Sequence, residues 1–173
     1  MTPSPGDRKA SENRSASGES RLEFPSTGRL AGIDYGTKRI GIAITDPGRC
    51  LASPLTMYER QDELRDREFF RRLAAEERVA GFVVGLPIHL SGDESQKSFE
   101  ARQFGTWLAQ ATGLPVCYFD ERFTTREARA VLSQSGSTRK RTKKRIDMLA
   151  AQRLLADFLE TGTDAHQWRP ESL

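Results

Sequence analysis

Histidine and cysteine are scarce, with two of each in 173 residues. His89 and His166 stand far apart, without the spacing of metal ligands, which excludes a histidine-based zinc site. Cys50 and Cys117 form no Cys-x-x-Cys pair. Both fall in apolar stretches, so buried free thiols in a reducing compartment are expected. Long apolar runs are absent too. None approaches the ~20 residues that span a bilayer, and no apolar signal segment follows Met1, so the expectation is a cytoplasmic protein with no membrane partner. Charge of one sign is not in large excess: 27 Lys+Arg face 24 Asp+Glu, a net +3 that tilts only slightly towards polyanions. No internal repeat is visible. Large apolar residues are nearly missing from residues 1–29, which read as a disordered tail because burial cannot offset ordering entropy there. Residues 30–160 then form one domain, and 161–173 a C-terminal tail.

Within that domain the patterning is legible. Residues 30–34 read as a first strand. Ile40, Ile42 and Ile44 alternate with Gly41, Ala43 and Thr45, the period of a second. In "DPG" at 46–48, Pro47 presets one dihedral and Gly48 supplies a positive one, and "RCLASPLTM" continues as a third strand. These three form an antiparallel meander. Residues 61–78 carry Leu64, Phe69, Phe70 and Leu73 as a helix lying on the sheet. "VAGFVVGLP" at 79–87 reads as a buried central strand. Phe104, Trp107, Leu108 and Ala111 mark one face of a further helix, stopped by Gly113. "PVCYFDE" is another buried strand. "TTRE" at 124–127 has capping-box spacing and opens a helix, and a last helix runs from about Thr142 to Glu160. The fold class is therefore α/β: a five-stranded mixed sheet with helices on its faces.

Acidic residues sit where apolar ones are expected. Asp34 ends the first strand. Asp120 and Glu121 end the strand "VCYFDE" and are expected at a neighbouring strand end. Asp147 shares a helical face with Ala151, Leu154, Leu155 and Phe158, so it continues a core-facing stripe. Small Ala150 and Ala151 would let that helix approach the sheet closely. Taken singly, Asp34 could be a turn former, and Asp120 and Asp147 charges favoured by a helix dipole. Taken together, inward carboxylates clustered without histidine call for hard divalent cations. A pair of such ions about 4 Å apart drives phosphodiester hydrolysis. Directly before Asp147 runs "RKRTKKR", comprising Arg139, Lys140, Arg141, Lys143, Lys144 and Arg145 around one threonine. A basic loop opening onto an acidic cluster would hold a polyanion by its phosphates. Lys38 and Arg122 are further cations beside the acidic positions. Aromatic residues for base stacking are lacking nearby, so sequence-specific readout is not indicated.

Four motifs in order, "GIDYGTKRIGIA", "VVGLP", "LPVCYFDERFTT" and "IDMLAAQRLL", resemble the YqgF family, also called RuvX, of Holliday junction resolvases and precursor-rRNA nucleases. The resemblance covers residues 30 to 160. It implies a ribonuclease H-like fold and a hydrolase acting on ester bonds, with Mg²⁺ or Mn²⁺ as a two-ion cofactor. The implied substrate is the 5′ end of pre-16S rRNA, with branched DNA as the alternative and ribosomal assembly intermediates as partners. Carried over by motif, Asp34, Glu121 and Asp147 are the catalytic set, with Asp120 added as a metal ligand. One departure is His89, where the family usually has asparagine.

Two other classes compete. An RNA-binding assembly factor would use the basic run without catalysis. An actin-like or sugar-kinase ATPase also has Asp-x-Gly-Thr after a first strand, but needs two such domains, and 173 residues allow one.

Overall fold

The structure is a computed structural model that describes residues 24–87, 95–120 and 139–161, the side chains of 139–144 excepted. Five strands form one sheet: β1 (Arg29–Asp34), β2 (Arg39–Thr45), β3 (Ala52–Glu59), β4 (Val79–Leu86) and β5 (Val116–Asp120). Three helices are described: α1 (Glu63–Glu76), α2 (Gln96–Thr112) and α3 (Arg139–Thr161). The helix expected at "TTRE" lies outside the described residues.

The sheet order is β3-β2-β1-β4-β5. β1, β2 and β3 form the antiparallel meander, while β4 runs parallel to β1 and β5 parallel to β4. β3 is an edge, which is where Pro54, lacking a ladder donor, can sit. All three strands β1, β4 and β5 finish at the same edge of the sheet, the edge where open α/β sheets bind ligands.

Pleat alternation sends two sets of side chains to two cores. Ala31, Ile33, Ile40, Ile42, Phe82, Val84 and Tyr118 meet Phe70, Leu73, Phe104 and Leu108 of α1 and α2. Leu30, Ala43, Val83, Cys117 and Phe119 meet Ala151, Leu154, Leu155 and Phe158 of α3. The small residues between the isoleucines of β2 are thus buried beneath α3. A Cβ on Gly32 would stand 2.8 Å from Leu155 Cβ, and one on Gly41 would collide with the carbonyl oxygen of Asp147. Those two glycines, with buried Ala151, admit the helix; Ala150 is exposed.

Several local expectations change. In the turn after β2 the positive φ falls on Arg49, at 56°, and not on Gly48. The Asp46 carboxylate accepts from the amides of Gly48, Cys50 and Leu51, which shapes the turn without needing Gly48 there. Arg49 donates to the carbonyls of Pro25, Thr27 and Gly28, fastening the segment before β1. Within that segment Phe24 packs edge-on to Phe158 of α3. Cys50 is exposed in this turn, while Cys117 is the buried thiol. Leu64 is also exposed, because α1 turns Asp66, Phe70 and Leu73 inward instead. Gly113 does end α2, in the left-handed conformation with φ 72°. No helix among the described residues is long and apolar enough to cross a membrane.

Candidate nuclease site

Asp34 is the last residue of β1, and its alternation with Leu30 and Gly32 places it on the α3 face of the sheet. Its ladder partner on β2 is Gly41. The backbone of Asp147 rests directly on Gly41. One glycine therefore brings the two acidic residues, 113 positions apart in the chain, to a single point on the sheet edge. Both are half-buried. Arg39, on the same pleat face as Gly41, forms an ion pair with Asp147, Nε to Oδ2 3.5 Å.

Asp120 also ends its strand at this edge, but β4 lies between β1 and β5, so the expected neighbouring strand ends are one strand further apart. Two interstrand spacings come to about 9–10 Å. The pleat that sends Tyr118 to the α1–α2 core sends Asp120 the same way, away from Asp34 and Asp147. Glu121 and Arg122 lie outside the described residues, as does His89. Among the described residues no three His, Cys, Asp or Glu side chains form a metal-holding group.

The basic run is helical throughout: α3 starts at Arg139, three residues before the start expected at about Thr142, so the run is not a loop. Lysine and arginine are good helix formers, and no glycine or proline interrupts them. Positions 140, 143 and 144 precede 147 at helical spacing on one face. Arg145 is exposed.

Sequence reasoning missed a polar cluster on the other face. Asp66 is fully buried and accepts from Tyr58 Oη (2.7 Å), Arg60 Nε (3.1 Å) and the Gln61 amide (2.9 Å). Burial, then the bond to Asp66, pushes the Tyr58 hydroxyl up to about 12. Its signal was present: positions 66, 70 and 73 share one helical face, so Asp66 lies in an apolar stripe as Asp147 does.

Residues 28–161 match the family described as "RuvX: Holliday junction resolvase". The chain belongs to the RuvX family. A relative from Rhodopirellula baltica, named "Putative pre-16S rRNA nuclease", is 56% identical over 79% of this chain and 79% of its own length. One of the same name from Koribacter versatilis is 38% identical over 77% and 87%. Among solved structures, Thermus thermophilus RuvC in complex with a Holliday junction substrate superposes with a TM-score of 0.50 at 16% identity, covering 79% of this chain and 97% of that one. That likeness establishes the fold, the ribonuclease H-like fold of RuvC.

Proposed function

We propose that this RuvX-family protein is a cytoplasmic nuclease that hydrolyses phosphodiester bonds at the 5′ end of pre-16S rRNA, acting on ribosomal assembly intermediates. The observation that carries the reading is the seating of Asp147 on Gly41, the ladder partner of Asp34. It sets two carboxylates on one face at the sheet edge where ligands bind. Glu121, which follows β5 in the sequence, is the third carboxylate of the set that the family motif implies. These donors are all oxygen, so the group they fit is a pair of hard divalent cations, Mg²⁺ or Mn²⁺. When bound, such ions activate a water and neutralise charge developing on the scissile phosphate.

The chain's own residues hold and orient. Asp34 is held by the β1–β2 ladder and Asp147 by the close seating of α3 on Gly41. Arg39 pairs with Asp147 and offsets part of its charge. Lys140, Lys143 and Lys144 lead along α3 towards Asp147 and bring phosphates to it. Cations in the first turns of a helix oppose its dipole, a cost that a bound polyanion relieves.

Asp147→Asn tests the reading. Cleavage of a pre-16S rRNA end should fall by orders of magnitude while binding in EDTA holds. The rise in melting temperature on adding Mg²⁺ should shrink, and metal-free stability should shift by less than about 1 kcal/mol, because the ion pair with Arg39 is partly exposed. If Asp147 were only a helix charge, activity and metal response would persist. The RuvX description also names Holliday junctions, so a four-way DNA junction belongs in the same assay.

A further inference from the structure

Beside the acidic edge lies a cleft of about 770 Å³, lined by Thr37, Lys38, Arg39, Glu59, Arg60 and Gln61. Three of its six residues are cationic and one is acidic. It is continuous with the site, since Asp34 ends the strand that the Tyr35–Lys38 turn follows, and Arg39 pairs with Asp147.

The cleft is built around one rigid cation. Arg60 Nε is bound to the fully buried Asp66, and Nη1 donates to Tyr35 Oη at 3.2 Å. Its guanidinium carbon stands 5.6 Å from the Phe104 ring centroid and 5.8 Å from that of Tyr35. Its backbone amide donates to Lys38 O at 3.0 Å, so the same residue holds the turn that carries Lys38. Among the described residues Nη2 has no partner, which leaves donors of a prepositioned planar fork for an oxyanion.

We propose that this cleft binds a backbone phosphate of the nucleic-acid strand, with Arg60 as fixed anchor and Lys38 and Arg39 as its charged rim. The proposal rests on the nuclease reading and adds a second contact surface to the basic turns of α3. It also places Arg39 between two anions, Asp147 and the strand. Glu59, opposite Arg39 in the β2–β3 register, works against the phosphate and limits affinity.

The test measures binding of the full-length protein in EDTA to a short fluorescent single-stranded RNA across salt concentrations. Lys38→Gln should weaken binding about fivefold and reduce the log–log salt slope by about 0.7. Glu59→Gln should tighten binding by a similar factor, a sign that mere loss of structure does not produce. Arg60→Lys keeps its charge and loses its fork, so affinity should fall with the slope unchanged. A variant with Lys140, Lys143 and Lys144 changed to glutamine separates the two ideas. If it binds weakly while Lys38→Gln and Glu59→Gln match wild type, the cleft proposal is wrong and the nuclease reading survives. If wild type binds no nucleic acid, both fall.

Discussion

The two faces of the sheet are packed by opposite means. Towards α1 and α2 the core is large and aromatic: Phe70 touches Tyr58, Phe69, Phe104 and Trp107 ring to ring, and isoleucines fill the sheet side. Towards α3 the sheet presents Gly32, Gly41 and Ala43 on β1 and β2, where the helix lies almost on the strand backbones, with Leu30, Val83 and Phe119 packed beside them. Volume fills the first face, whereas at Gly32 and Gly41 its absence lets α3 come close on the second. Interiors tolerate little change in volume on either, but the consequences differ. On the aromatic face a lost ring leaves a cavity. On the small-residue face an added methyl displaces the element that carries Asp147.

Gly41→Ala should show the difference most strongly. Its methyl meets backbone and not a side-chain tip that could swing away, so α3 must shift. Displacement by about 1 Å is expected to lower cleavage about 100-fold per folded molecule. Normal cleavage by a well-folded Gly41→Ala protein would show that the seating of α3 does not set the catalytic geometry.

Phe70→Ala is the reciprocal change. The ring is fully buried, and its loss should cost about 3–5 kcal/mol, read by chemical denaturation. Cleavage by the remaining folded protein should hold, because the α3 face is untouched. Parallel losses in both variants would erase the distinction between the faces.

The smallest effect is at high pH. Folding raises the Tyr58 hydroxyl from its ordinary 10.0 to about 12, chiefly by burial, and burial raises the Cys117 thiol from 9.0 to about 11. Both favour the neutral, protonated form in the folded state. Their contribution is therefore complete below the unfolded values and lost as pH climbs through 9 to 12. Tyr58→Phe should be less stable at neutral pH, where Asp66 loses a donor, and should decline less steeply above pH 10. An unchanged alkaline slope would mean that Tyr58 ionises as freely in the folded chain as in the unfolded one.

Much of this was readable from residue order. Period-two patterning marked β2, continuous apolar runs marked β4 and β5, and the stripe through Ala151, Leu154, Leu155 and Phe158 predicted the buried face of α3 together with its acidic extension at Asp147. Misreadings came from neighbours distant in sequence. Gly48 looked like the turn's special residue because glycine adopts positive φ most easily, yet Asp46 and the carbonyls before β1 stabilise that conformation at Arg49. Cys50 looked buried among apolar residues, but the turn carries it outwards. The basic run read as a loop because dense charge suggests solvation, although its residues favour helix.

By itself, the sequence determined the element types and the meander, because period and turn chemistry act over a few positions. Tertiary structure alone decided that Gly41 faces Asp147, that β4 separates Asp34 from Asp120, that Arg39 pairs with Asp147, and that Asp66 anchors Arg60. Those relations depend on strand order, register and pleat direction, which arise only when segments far apart in the chain pack against one another.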